Sequence, residues 1–543
     1  FIAFEFHNMK FVKHILVCFL TVMLFYSSWP PNSMPGFIFI AFTPLLHLIF
    51  NFKSSDTKQP KLYLFGLLFV TFFSLNFALT YWVIYAHFLG GIFAAVFNAL
   101  LMSSVLMLTY SIKVKLGNKH AYIAFPILWL AFEYLHLNWE MTWPWMTLGH
   151  VFSEQTNWIQ WYEFTGVLGG SAWVLATNTL LYFSFKCLLE KQRALKPFLF
   201  SALFIITPFV FSSKIVQNTA YLNQGDTVDV VIVQPNYEPH QQKFSIPQAT
   251  QLQKVKGLLD SIWAKNPDLI VLPETFIVDW IWESRVETTP AVLKMKSWLK
   301  NHPKTQIVTG ASTGKNLSES EASKATARKS ANGTIFEVFN TALLISENQN
   351  TQIFHKSKLV PGAEMTPFSS ILKPFFDKFP MKIGGSIGNF GTNDSLQNFT
   401  SYKGEFTPTI CYESIFGEYV SSFNTLGSSW ICIITNDGWW GDTFGYQQHQ
   451  SYARLRAIEN RKYVLRSANT GISSVINPLG LVEQSLPYGK EGILETRIRK
   501  SNSITFYTQH GDYIGRLASF LAIVYLLQLI LAYLKTDTLK RKD

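Results

Sequence analysis

Three short segments carry side chains able to make and break covalent bonds. The first, Ile270–Thr275 (IVLPET), closes an apolar run with a proline and a carboxylate, Glu274. The second, residues 354–364 (FHKSKLVPGAE), holds Lys356, Lys358 and Glu364. The third, residues 407–413 (TPTICYE), brings Cys411 to the end of a strand-like run and follows it with Tyr412 and Glu413. A thiol needs a base to become a thiolate, and a cation or N–H group to hold the oxyanion formed when it attacks a carbonyl. A carboxylate, a lysine and a cysteine supply those roles without a histidine. Each is weak alone. A glutamate after a strand commonly caps or faces solvent, a buried cysteine commonly packs as a small hydrophobe, and a lysine on a polar stretch is commonly a solvated charge.

Such groups need a scaffold that brings them together, and the segment from 225 to 511 reads as one. Short β-branched runs (Val228–Val233, Leu269–Leu272, Ile307–Thr309, Thr341–Ile345, Ile431–Thr435) alternate with polar, helix-compatible stretches such as Gln248–Lys265 and Pro290–Lys300. That alternation predicts an α/β domain, where ligand sites gather at the carboxyl ends of strands. Residues 316–333 read as a polar surface loop without function, and Gly384–Gly391 as a flexible arm rather than a phosphate loop. Cys432 lies inside an apolar run and is expected to be a core thiol. The four cysteines contain no CxxC and the 12 histidines no HExxH pair, so neither a metal nor another cofactor is expected.

The rest of the chain is built for a different solvent. Of 543 residues, 48% are hydrophobic, 16% aromatic and only 15% charged, against about a quarter charged in soluble proteins. Apolar runs near 14–29, 36–50, 62–83, 88–111, 121–137, 166–186, 197–214 and 515–534 predict eight membrane spans. The first is read as a retained helix because no small-x-small site follows it, with Met9 as the expected start. Lys and Arg fill alternate connections, while 30–35, 84–87 and 138–165 contain none. This positive-inside alternation assigns the net charge of +11 to topology and excludes nucleic acid as partner. It places both termini in the cytoplasm and the large insert outside. The expected organisation is seven helices in 1–215, a catalytic domain at 225–511, a last helix at 515–534 and a basic tail at 535–543.

In that order and setting, LPET, HKSKLVPGAE and ICYES resemble the nitrilase (carbon–nitrogen hydrolase) superfamily. The preceding helices, together with Pro144-Trp145, Gly166–Ser171 and the run from Asn436 to Gly480, resemble its membrane-bound branch, the bacterial apolipoprotein N-acyltransferases. The resemblance implies an α-β-β-α sandwich inserted into the membrane domain, with Glu274 as general base, Lys356 as catalytic lysine and Cys411 as nucleophile. Lys358 competes for the lysine role; the family spacing before Leu359-Val360-Pro361 favours Lys356. Glu364, Tyr412 and Glu413 match positions needed for activity, and Trp439 and Trp145 match aromatic positions of the lipid entrance and pocket. The chain departs from the pattern at Pro361-Gly362-Ala363-Glu364 and at Phe244, where the family has a tryptophan. Implied partners are a phospholipid acyl donor, a diacylglyceryl lipoprotein acceptor and the bilayer of the bacterial inner membrane, acting with a monomeric enzyme. Residues 371–383 (ILKPFFDKFPMKI) fit an arm meeting the outer leaflet. Alternatives are a membrane-tethered amidase and, from another class, a transporter with an outer sensor domain, for which only Glu133 offers a midplane charge.

Overall fold

The computed structural model describes residues 2–32, 34–53, 58–217, 225–324, 326–368 and 389–540. The 371–383 segment and most of the 384–391 run lie outside the described residues. Two compact units form: a helical one from Phe1–Trp139, Trp143–Ile215 and Asp512–Asp543, and a second from Glu140–Thr142 and Val216–Gly511.

Among the described residues, six helices of the first unit are long and apolar enough to cross a membrane: Lys10–Ser28, Pro60–Thr80, Phe88–Leu116, Tyr162–Leu189, Leu195–Gln217 and Tyr513–Lys535. The eight spans expected from sequence are thereby corrected to six. The run at 36–50 is broken into a 3-10 turn, Pro35–Ile40, and a helix of nine residues, Thr43–Asn51. At 1.5 Å per residue that helix covers about half of a 30 Å hydrocarbon core or less. The run at 121–137 does form a helix, Asn118–Asn138, but Lys119, His120, Glu133 and His136 dilute its apolar character. Glu133 is buried there because its Oε1 accepts the indole N–H of Trp129 at 3.1 Å and the backbone N–H of Leu148 at 3.0 Å. The strict alternation of basic connections depended on eight crossings and falls with them.

The second unit contains two sheets. The first runs β14–β1–β2–β4–β6–β5, with β3 added on β4 and β7 on β6. Its strands are β1 Thr227–Gln234, β2 Leu269–Val271, β3 Ile277–Trp282, β4 Gln306–Asn316, β5 Arg328–Lys329, β6 Ile335–Ile345, β7 Gln352–His355 and β14 Gly492–Arg499. The second runs β13–β12–β11–β10–β9–β8, from β8 Phe399–Ser401, β9 Gly404–Ile410, β10 Ile431–Thr435, β11 Val464–Ala468, β12 Ser473–Ile476 and β13 Val482–Leu486.

The period of two along a strand explains the layering. Val230 and Ile232 of β1 meet Cys432 and Ile434 of β10 in a core between the sheets. Val231 and Val233 face the other way, packing with Leu252 and Val255 of the helix Gln248–Leu259 and with Val292 and Met295 of the helix Pro290–Leu299. Ile431 and Ile433 likewise leave the shared core for Ala453 and Ala457 of the helix Phe444–Asn460. Strands buried on both faces read as unbroken apolar runs, and the order is helix, sheet, sheet, helix. Cys432 is a fully buried core thiol, and all four cysteines are free. The 316–333 loop contains β5, which pairs with β6.

Candidate active site

Glu274 follows β2 at a tight elbow. The adjacent strand comes so close that a Cβ on Gly310 would stand 2.3 Å from the Thr275 nitrogen, so only glycine fits there. Thr275 adopts φ +46°, a left-handed conformation that its β-branched side chain resists. Lys243 spans this elbow: its Nζ donates to the Glu274 carbonyl at 2.8 Å and to Thr275 Oγ1 at 2.6 Å.

Lys356 stands one residue beyond β7. Strand pairing of Thr341 with His355 brings Asn340 of β6 alongside, and the Lys356 N–H donates to the Asn340 carbonyl at 2.8 Å. Lys356 Nζ, 1% exposed in its side chain, lies 2.9 Å from Glu364 Oε1 and 3.7 Å from Glu274 Oε1. Asn340 Nδ2 donates to the same two oxygens, at 2.8 Å to Glu274 and 3.1 Å to Glu364. Burial works against the ammonium charge, but Glu364 and Glu274 outweigh it and push the Lys356 pKa up. Lys358 turns away: its ammonium lies over the rings of Phe416 and Tyr419, 5.3 and 5.9 Å from their centroids. Glu364 also closes its own turn, Oε2 accepting the Val360 N–H at 2.9 Å.

Cys411 directly follows β9 and opens a 3-10 turn, Cys411–Ile415, at φ +51°. A non-glycine residue held there is strained, and such strain concentrates at functional elbows. Burial and the Glu274 carboxylate push the thiol pKa up, against the pull of Lys356. The surroundings therefore favour the protonated thiol. Glu413, fully buried, ties the second and third segments together. Its Oε1 accepts the Ser357 N–H at 2.6 Å, the Lys358 N–H at 3.2 Å and the Tyr419 hydroxyl at 2.8 Å, and its Oε2 accepts the Ile410 N–H at 2.9 Å. Tyr412 is buried and donates its hydroxyl to the Thr142 carbonyl at 3.0 Å.

A family model described as Carbon-nitrogen hydrolase matches residues 230–505, just over half of the chain. The chain belongs to the carbon–nitrogen hydrolase family. Residues 22–180 match the Apolipoprotein N-acyltransferase N-terminal domain. Among curated relatives, the apolipoprotein N-acyltransferase of Chlorobaculum tepidum is 28% identical over 92% of this chain and 93% of its own. That of Rickettsia prowazekii is 29% identical over 76% of each. Among solved structures, an amidase of the nitrilase superfamily from Nesterenkonia is 13% identical with a TM-score of 0.37, over 54% of this chain and 97% of that one.

Trp439 is half-buried, near-parallel to Phe244 at 6.3 Å between ring centroids and edge-on to His240 at 5.1 Å. Phe244 thus supplies an aromatic face to Trp439. Trp145 belongs to the helical unit, buried and edge-on to Trp82 at 4.7 Å.

Sequence reasoning passed over Asn340, Lys243 and a buried charge network behind Cys411. Asp437 Oδ1 meets His449 Nδ1 at 2.9 Å, Asp437 Oδ2 accepts from Arg466, and His449 Nε2 lies 3.2 Å from the Cys411 carbonyl oxygen. All three residues sit in the specific 436–480 run, but nothing in their spacing assigned them a role. The ligand atoms of Cys411, Asp437 and His449 fall within 4.8 Å of one another. With the Asp437 carboxylate already shared between an imidazole and a guanidinium, the cluster is an ion-pair network rather than a metal cradle.

Proposed function

We propose that this protein transfers an acyl chain from a membrane phospholipid to the α-amino group of the diacylglyceryl-cysteine at a lipoprotein N-terminus. The observation that carries the reading is a Glu274–Lys356–Cys411 constellation on a chain whose other unit matches the apolipoprotein N-acyltransferase N-terminal domain and holds long apolar helices. Lipid substrates give those helices a purpose that small amides do not.

Glu274 takes the Cys411 proton, and the thiolate sulfur attacks the ester carbonyl carbon. Lys356 and backbone N–H groups hold the resulting oxyanion. Collapse breaks the ester C–O bond, Glu274 returns its proton to the leaving alkoxide, and a lysophospholipid departs, leaving a thioester on Cys411. The neutral acceptor amine then attacks that carbonyl and gives its proton to Glu274. The C–S bond breaks, Glu274 returns the proton to the leaving sulfur, and amide and free thiol result. An amide is more stable than a thioester, so the second half runs downhill without a nucleotide. Tyr412, Glu413 and Glu364 shape the site around these groups, Trp439 is the aromatic assigned to the lipid entrance, and Trp145 is a buried aromatic of the helical unit.

Five of the six long apolar helices precede the hydrolase unit. In this reading the hydrolase unit lies on the extracytoplasmic side of the bacterial inner membrane, where an exported lipoprotein acceptor is met. The deciding experiment is mass spectrometry of the purified protein after incubation with phospholipid alone. An acyl adduct on the Cys411 peptide, discharged by a diacylglyceryl peptide, is expected. No adduct with phospholipid, together with turnover of small amides, would turn the assignment to a membrane-tethered amidase.

A further inference from the structure

The site holds a second buried ammonium group that the chemistry above leaves unused. Lys243 lies between β1 and the helix Gln248–Leu259 and is 1% exposed. Its own chain is pinned, because Gln251 Nε2 donates to the Lys243 carbonyl at 2.7 Å and to that of Ile246 at 3.0 Å. A lysine buried this deeply on a pinned loop has lost both hydration and conformational freedom. Surface anchoring does not account for it.

The charges that reach Lys243 are those of Glu274, beyond β2, and Cys411, beyond β9. Behind Glu274 stand Lys356 and Glu364. On its own loop, the Glu238 carboxylate is occupied with the N–H groups of His240 and Gln241. Glu274 and Glu364 therefore face Lys356 with one negative charge in excess, and Lys243 cancels it. Moving the Cys411 proton to Glu274 keeps the enclosed site neutral only while Lys243 is charged. In a site this dry, an uncancelled charge is far more costly than in water.

We propose that Lys243 is a positioning residue that fixes the Glu274–Thr275 elbow and supplies the counter-charge under which Cys411 becomes a thiolate. This rests on Glu274 and Cys411 being the base and nucleophile assigned above. Burial lowers the Lys243 pKa to about 8, against the opposing pull of Glu274 and Cys411. Its charge is present below that pH and lost above it.

The test is alkylation of Cys411 by iodoacetamide in the full-length protein in detergent, followed peptide by peptide between pH 6 and 10. No lipid is needed. The wild-type rate should stay level up to about pH 8, because the proton only moves between Cys411 and Glu274, and fall above it. Lys243→Gln keeps N–H donors for the elbow but removes the charge. It should react about tenfold more slowly at pH 7, the equivalent of one pKa unit at the thiol, with no fall above pH 8. Lys243→Arg should keep the rate and carry the level region past pH 9. A Gln variant with the wild-type rate and profile overturns the proposal. Should that variant fail to fold, an Arg variant still falling at pH 8 overturns it equally. The expected labelling without any acyl transfer from phospholipid would remove the acyltransferase reading and leave the role of Lys243 standing.

Discussion

Glu413 Oε1 accepts the backbone N–H of Ser357 at 2.6 Å, so the residue two positions after the nucleophile holds the chain segment that carries Lys356. Oε2 of the same carboxylate holds the Ile410 N–H on the other side of Cys411. One buried carboxylate thereby sets the relative position of nucleophile and lysine, and misplacement by an ångström is costly in catalysis. Burial pushes the Glu413 pKa up while the Ser357 and Ile410 N–H groups pull it back. Glu413→Ala leaves those donors buried and unpaired, at about 1–3 kcal/mol each. Thermal unfolding should drop by several degrees and acyl transfer should be lost. Glu413→Gln, which keeps an acceptor oxygen, should recover most of the stability.

Asp437 is the second buried carboxylate with a structural duty. Burial alone would raise its pKa, but Arg466 and His449 together hold it well below the ordinary carboxylate range. A carboxylate so depressed stabilises the fold above its unfolded value of 3.8. As pH falls below that value the unfolded chain binds a proton that the folded one refuses, and the stabilisation is lost. Unfolding followed from pH 7 to pH 3 should show this acid limb. Asp437→Asn should lack that contribution and be less stable at pH 7 by about 3–5 kcal/mol, because Arg466 loses its counter-charge in the interior.

Lys356 and Lys358 make a sharp pair for comparison. Lys356→Ala should lower the acyl-transfer rate by about two to three powers of ten, the loss expected for removing a donor to an oxyanion. Lys358→Ala removes an ammonium stacked on Phe416 and Tyr419 and should change the rate little. Initial rates for the two purified variants decide it, and the reverse order would exchange their roles.

Order of reaction separates a transferase from a hydrolase. Phospholipid alone should acylate Cys411 and release one equivalent of lysophospholipid, and the acyl-enzyme should persist until a diacylglyceryl peptide is added. Steady-state rates should follow a ping-pong pattern. Cys411→Ala should form no adduct. Cys411→Ser should be nearly inactive, since a hydroxyl ionises far less readily than a thiol in the same place. Discharge should slow as pH falls, because a protonated acceptor amine has no lone pair with which to attack. Rapid hydrolysis of the acyl-enzyme, indifferent to the peptide, would identify a hydrolase.

What the sequence determined by itself is local or repetitive. Unbroken β-branched runs announced strands buried on both faces, and β1 and β10 show this with alternate residues in different cores. The IVLPET, HKSKLVP and ICYE segments stood out because reactive side chains followed such runs directly. Long-range pairing decided the rest. Asn340 is nothing more than a polar residue in a strand until the pairing of Thr341 with His355 sets it beside Lys356 and lets it bond two distant carboxylates. Lys356 and Lys358 lie two apart on one polar stretch, and only the fold sends one to Glu274 and the other onto aromatic rings. Nothing in the sequence singled out Lys243, and its burial depends on the elbow it spans. The span count failed for a related reason. Hydropathy sums apolarity along the chain, whereas the break between Ile40 and Thr43 and the carboxylate of Glu133 are features of backbone geometry and of partners brought from elsewhere in the helical unit. Composition fixes which solvent a segment prefers; which groups meet, at what distance and with what charge, is set by contacts between residues far apart in the chain.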